Sequence, residues 1–220
     1  MLTKNISFKN FKLKKNNSKV RKDLGILLAE NNTVLRSLSP IYKNSYTKKT
    51  ILKFKKYSHI RIIGMGGSIL GTKTIYDFLK HRTKTNFNFI SNLNPKINSL
   101  IKKKCVNLIV SKSGNTLETI SNTNIIIKNK DKNIFITENK KSYLHTLAEK
   151  LKADIIHHNN FIGGRYSVLS EVGMLPAELM GLKAAKFKQL DNLIKNKKFI
   201  NTLIANVSNT LFYLKKKKSN

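Results

Sequence analysis

From residue 59 onward the chain alternates apolar runs of strand length with segments of helical period, and this alternation restricts the possible folds more than any other feature. "HIRIIGM" (59–65), "FNFISN" (87–92), "VNLIVSK" (106–112), "NIFITEN" (133–139) and "DIIHHN" (154–159) are rich in Ile, Val and Phe and read as five strands. Ile69 to Lys80, Pro95 to Lys103, Thr116 to Lys128 and Lys141 to Leu151 read as the helices between them. Strand followed by helix, repeated, implies right-handed crossovers. The expected class is therefore α/β: a doubly wound, mainly parallel five-stranded sheet flanked by helices. Ligands of such sheets sit beyond the carboxyl ends of the strands.

The flanks lack the alternation. "KVRKDLGILLAENNTVLRSL" (19–38) spaces Leu24, Leu27, Leu28 and Leu35 as a helix does, and predicts a helical N-terminal extension over 1–56 packed on the sheet. After residue 166 the chain reads as helical again. In "FINTLIANVSNTLFYL" (199–214), Ile200, Leu203, Ile204, Val207, Leu211 and Leu214 fall on one helical face that needs a partner. The expected organisation is the extension over 1–56, the α/β domain over 57–182 and a helical segment over 183–220.

Two loops carry the chemistry. "GMGGS" (64–68) follows the first strand and runs into a helix; "SKSGNTLET" (111–119) follows the third and does the same. Glycines let the backbone approach a ligand, and the first N–H groups of a helix favour an anion. Spacing separates three phosphate sites. For a dinucleotide, Gly64 and Gly66 fit the first two glycines of G-x-G-x-x-G, but Ile69 stands at the third and no acidic residue lies between Asp77 and Glu118 to hold a ribose. For a nucleoside triphosphate loop, Gly66 and Gly71 have the right gap, yet Thr72 stands where Lys is required. What remains is a monophosphate on a small molecule, gripped by the hydroxyls of Ser68, Ser111, Ser113 and Thr116 and by backbone amides. Each of these residues alone is also an ordinary helix cap or turn residue.

Together the two loops resemble the SIS (sugar isomerase) family, whose Ser- and Thr-rich loop holds a sugar phosphate. A third stretch, "GGRYSVLSEVGMLP" (163–176), is similar to the signature of the glucose-6-phosphate isomerase family within it. The resemblance covers about residues 59–182. It implies an SIS-type sheet and a phosphosugar pocket formed by Ser68, Ser111, Ser113 and Thr116, with backbone from Gly67 and Lys112. Glu118 matches the glutamate that follows this loop in the family, and Arg165 matches its active-site arginine. Isomerisation of glucose 6-phosphate to fructose 6-phosphate passes through an enediolate, whose charge a fixed guanidinium can stabilise. The resemblance further implies no metal and no cofactor, a place in glycolysis and gluconeogenesis, and a homodimer when complete.

The chain also departs from the family. Family members are longer and carry the proton-shuttling glutamate, with a histidine and a lysine for ring opening, in a second SIS half that has no counterpart after residue 182. Glu118, Glu171, Glu178, His157 and His158 are the groups that could serve as base. His157 and His158 are adjacent on a strand and face opposite ways, so packing or capping is the expected role of both, and Glu171 is expected to be a helical residue. The helical segment at 183–220 then reads as the start of a missing domain. Alone, 220 residues are expected to bind a phosphosugar weakly or not at all and to turn nothing over. The alternative is a short SIS protein that senses a sugar phosphate without transforming it.

Composition supports a protein of the cytoplasm with no specific nucleic-acid or membrane partner. The formal charge is +32, but it comes from 38 lysines spread along the chain and only five arginines, accompanied by abundant Asn and Ile. That is a diffuse bias without the clustered Arg and aromatics of a base-reading surface. The basic N-terminus has no apolar h-region, no run approaches membrane-spanning length, and the single Cys105 excludes an intrachain disulfide.

Overall fold

The computed structural model describes residues 18–30, 32–93, 105–128 and 131–216. The helix expected over 95–103 lies outside the described residues. The chain divides into two compact units, one from Lys43 to Lys186 and one from the two flanks, 1–42 and 187–220.

In the flanking unit, α1 (Ser18–Ala29) and α2 (Thr33–Ser37) replace the single periodic stretch expected over 19–38. The break has a local cause: the Asn32 side chain accepts a hydrogen bond from Val34 N at 2.8 Å and so starts a new helix.

The sheet unit opens with α3 (Lys48–Lys55), capped by Thr47, whose Phe54 is buried. Then β1 (His59–Gly64), α4 (Leu70–Leu79), β2 (Asn86–Ile90), β3 (Val106–Val110), α5 (Leu117–Ile126), β4 (Lys132–Thr137), α6 (Tyr143–Lys150), β5 (Asp154–His157) and α7 (Glu171–Leu179) follow in order. All five expected strands form, each within a few residues of its expected limits. They pair in parallel in the order β2-β1-β3-β4-β5. Side chains of both parities are buried: Ile63, Ile109 and Phe135 pack with Ile126 of α5 and Leu144 and Ala148 of α6, while Ile62, Leu108 and Ile134 point the other way and are equally inaccessible. A parallel sheet covered on both faces needs near-continuous apolar runs, as β3 and β4 have, whereas the edge strand β2 alternates, with Asn86 and Asn88 exposed between Phe87 and Phe89.

One polar row crosses this apolar sheet. Arg61, Asn107 and Asn133 are register partners on β1, β3 and β4 and all are buried. Arg61 Nη1 donates to Asn107 Oδ1 at 3.2 Å, and Asn107 Nδ2 donates to Asn133 Oδ1 at 2.9 Å and to Asp131 Oδ2 at 3.2 Å. Replacing Asn107 with alanine leaves buried groups unpaired on both sides, and about 2–4 kcal/mol of stability should be lost. Asn88, the exposed register partner of Arg61 on β2, is the control, with an expected change within about 0.5 kcal/mol. Urea unfolding of the two alanine variants measures both.

After the sheet unit come α8 (Asp191–Ile194) and α9 (Lys197–Lys215), the latter started by Asn196, whose side chain accepts from Lys198 N and Phe199 N. α9 packs on α1, with Arg21 donating to Asn201 at 2.9 Å. Its buried side is Ile204, Ala205 and Ser208, whereas Val207, Leu211 and Leu214 of the expected stripe stay exposed. No helix among the described residues is long and apolar enough to cross a membrane.

Candidate functional site

The strand order sets the site. β1 continues toward β2 on one side and β3 toward β4 on the other, so their neighbouring carboxyl ends form the switch point where a doubly wound sheet opens a crevice. Gly64 and Val110, the last residues of β1 and β3, are register partners, so the two loops singled out above start side by side.

The loop after β1 makes a 3-10 turn over Gly66–Ser68 and enters α4 at Leu70. Ile69, at the N-cap, offers no side-chain hydrogen bond, so the first N–H groups of α4 have no side-chain cap. Ser68 is half-buried at this end.

In the loop after β3, Ser111 is buried and its Oγ lies 3.0 Å from Thr116 Oγ1. Thr116 stands at the N-cap of α5 but makes no capping bond with its side chain, so this second helix also presents uncapped N–H groups. Ser113 is exposed, with its Oγ accepting from Asn115 N at 3.2 Å. The loop is fastened from behind to the start of α6: Asn115 Oδ1 accepts from Tyr143 N at 2.9 Å and Gly114 O from Leu144 N at 3.0 Å. Gly114 has φ +66°, and a Cβ there would fall 2.0 Å from Ser142 Oγ, so this position requires glycine on both counts. Glu118, half-buried, occupies the first turn of α5.

Arg165 arrives from a different part of the chain. It lies in the 3-10 segment Gly164–Leu169, and this segment sits on the β1 loop. A Cβ on Gly67 would meet Gly164 O at 2.2 Å and Arg165 N at 2.9 Å, so the close approach depends on that glycine. Ser167 Oγ, buried beneath, donates to Gly164 O at 2.7 Å and reaches Gly67 O at 3.4 Å. Arg165 itself is exposed and takes part in no ion pair among the described residues. Gly67 is thus in contact with the Arg165 turn, and Ser111 with Thr116. The Lys112 side chain goes elsewhere: its Nζ donates to Asn160 O at 2.7 Å and lies 3.3 Å from Glu138 Oε1.

The groups considered as base have other occupations. His157 is exposed, and its Nδ1 accepts from Asn139 N at 3.1 Å. His158 and Glu171 are each 1% exposed and face one another, Nδ1 to Oε1, at 3.0 Å, while Asn159 N donates to the same Oε1 at 2.8 Å. Burial alone would raise the Glu171 carboxyl, but the His158 and Asn159 hydrogen bonds outweigh it and hold the group below the usual carboxylate value. Glu178 lies beside Tyr46, whose hydroxyl is pushed well above its ordinary value by burial and then by Glu178. The pairing of His158 with Glu171 has no signature in the sequence: it joins the end of β5 to the start of α7, and no spacing rule covers that junction.

These features have parallels in known proteins. A family model described as phosphoglucose isomerase matches residues 14–209. The chain is similar to the glucose-6-phosphate isomerase of Methanocaldococcus jannaschii, 38% identical over 156 residues that make up 64% of this chain and 38% of that protein. With that of Mycoplasma genitalium it is 32% identical over 197 residues, 75% of this chain and 46% of the relative. The chain therefore spans less than half the length of these curated relatives. Among solved structures, a hypothetical protein from Thermus thermophilus superposes with a TM-score of 0.69 at 20% identity, covering 90% of this chain and 52% of that one. The tagatose-6-phosphate ketose/aldose isomerase of Escherichia coli does so with a TM-score of 0.51 at 13% identity, covering 82% and 50%. At those identities the likeness is one of fold, a parallel sheet flanked by helices as in phosphosugar isomerases.

Proposed function

The chain belongs to the phosphoglucose isomerase family, and from that premise we propose that it supplies the phosphate-gripping and arginine-bearing part of an enzyme that interconverts glucose 6-phosphate and fructose 6-phosphate. The observation that carries the reading is the meeting of three separate stretches at the switch point: the β1 loop, the hydroxyl loop after β3, and the Arg165 turn seated on Gly67.

In this reading the phosphate dianion lies against the uncapped first turn of α5. The hydroxyls of Ser111, Ser113 and Thr116 and the backbone of Lys112 close around it, and Ser68 and Gly67 bound it from the β1 side. Uncapped N–H groups and a helix dipole stabilise such an anion without any mobile cation. With the phosphate fixed, the sugar extends toward Arg165, whose guanidinium opposes charge developing on oxygen as the C2 proton leaves. Glu171 is not the base, because it is buried, ionised and already accepting two hydrogen bonds. The proton shuttle is assigned to the part of the enzyme that this chain does not span. The resemblance supports a cytoplasmic homodimer for the whole enzyme, acting without metal or nucleotide.

Binding can be tested on the 220-residue protein by following backbone amide shifts of 111–119 in NMR titrations. Fructose 6-phosphate should shift these amides with a Kd of about 1 mM, while fructose should not. Ser111→Ala, which removes one charge-assisted donor, should weaken the binding about tenfold. Equal responses to the sugar and its phosphate, or no response of these amides to either, would show that the hydroxyl loop is not a phosphosugar site.

A further inference from the structure

We propose that Lys112 is a positioning residue, a strut whose ammonium ties the hydroxyl loop to the segment that carries Arg165. The strut is read from its contacts alone; its effect on ligand binding rests on the phosphosugar reading above.

Lys112 follows Ser111 at the carboxyl end of β3, and its backbone is already fixed. Its carbonyl accepts from Glu138 N at 3.0 Å and from Thr137 Oγ1 at 3.3 Å, both at the end of β4. From there the side chain crosses to the loop after β5, where Nζ donates to the carbonyl of Asn160 at 2.7 Å. Glu138 Oε1, 3.3 Å away, balances the charge, and both side chains are mostly covered, at 29% and 19% exposure. An ammonium has three donors, so one carbonyl and one carboxylate occupy most of its capacity. A lysine meant to offer its charge to a phosphate would be left unpaired in the pocket.

The Asn160 end of the strut leads directly to the arginine. Glu171 holds Asn159 N from beneath at 2.8 Å, and Asn159 in turn accepts from Phe161 N and Ile162 N at 2.9 and 3.1 Å. Ile162 is fully buried, and Gly163 O accepts from Tyr166 N at 2.9 Å, closing the turn that bears Arg165 on Gly67. The short segment 158–166 therefore has a buried anchor in Glu171 and a half-buried one in Lys112. The second joins it through a side chain to the loop read as holding the phosphate, beside a route at the end of β4 in which His158 N donates to Thr137 O at 2.8 Å and Thr137 Oγ1 to Lys112 O, so a ligand that orders one loop is felt by the other.

Hydrogen exchange on the 220-residue protein tests the strut directly. Lys112→Met keeps the aliphatic stem and removes the donor. Because a single ion pair at the rim of the sheet adds little to global stability, strand amides such as Leu108 should exchange as in the parent, while those of Ile162 and Tyr166 should exchange about fivefold faster. Lys112→Arg, which restores charge and donors, should return them to the parent rate. Parent-like exchange at Ile162 and Tyr166 in Lys112→Met overturns the proposal.

A second readout separates positioning from direct contact. Lys112→Met should weaken fructose 6-phosphate binding about twofold to threefold in the parent, no more than Arg165→Ala does, and leave it unchanged once Arg165 is alanine, because the strut acts through that residue. Additive losses would mean that Lys112 meets the ligand itself, and would overturn the proposal. Loosened exchange in a protein that shows no fructose 6-phosphate binding would leave the strut standing and remove the phosphosugar reading instead.

Discussion

Truncating Arg165 to alanine is expected to lower kcat/KM about 10²–10³-fold in the assembled enzyme, while weakening fructose 6-phosphate binding only a few-fold. The asymmetry follows from where the charge is. In the bound sugar phosphate the formal charge sits on the phosphate, at the hydroxyl loop; charge reaches the C1 and C2 oxygens only as the enediolate forms. A guanidinium held at those oxygens therefore stabilises the transition state far more than the ground state, and its loss falls on kcat. The comparison requires the chain to be supplied, fused or in trans, with the segment of a curated relative that it does not span. A coupled assay of fructose 6-phosphate to glucose 6-phosphate conversion then reads kcat and KM for parent and variant, and host isomerase would appear equally in both. A variant whose loss lies wholly in KM would make Arg165 a ground-state ligand, and equal activities would exclude it from the site.

The alternation of strands and helices was legible because both of its periods are local. Each strand is a run of four to six residues, and in the central β1, β3 and β4 nearly all of them are buried on both faces, a position that suits apolar and often β-branched residues. The hydroxyl loop was legible for the same reason: Ser111, Gly114 and Thr116 are dictated by a contact within the loop and by one backbone angle. Strand order was not legible, since nothing in a strand's own residues records its neighbour. With the order went the register, and with the register went the row joining Arg61, Asn107 and Asn133: each looks like a stray polar residue in an apolar run until the strands are aligned. The outer stripe of α9 misled in the opposite direction. Periodicity correctly marks 199–214 as helical, but which side is buried depends on what packs against it, and the side buried is that of Ile204, Ala205 and Ser208.

Lys112 shows why side-chain roles at a site are harder to read than its location. A lysine between two serines in a phosphate loop invites the assignment of its charge to the phosphate. Its direction is decided instead by Glu138 and Asn160, 26 and 48 residues further on, which the sheet order brings to the same rim. The Gly67 contact with Gly164 spans still more of the chain, and it is the contact that brings a glycine-rich turn and a distant arginine together.

Replacing Glu171 by leucine should cost about 3–5 kcal/mol. The carboxylate is 1% exposed and satisfies both His158 Nδ1 and Asn159 N, so an apolar substitute strands two buried donors at once. Glutamine keeps an acceptor at the same place and should cost about 1–2 kcal/mol near neutral pH. Acid distinguishes a structural carboxylate from mere volume. The folded protein holds the Glu171 carboxyl below the usual value, so the unfolded chain takes up the proton first as pH falls. The stabilisation is therefore complete above the unfolded carboxylate pKa of about 4.3 and is lost progressively as pH drops through the lower folded value. Glutamine has no such proton to take up, so urea midpoints of the parent and Glu171→Gln should differ most near pH 7 and converge below about pH 4. Curves that remain parallel throughout would mean that the carboxylate gains nothing from His158 and Asn159. The pair would then be a consequence of packing around Ile162, and the polar anchorage of the segment bearing Arg165 would rest on Lys112, on Ser167 and on the bond from His158 N to Thr137 O.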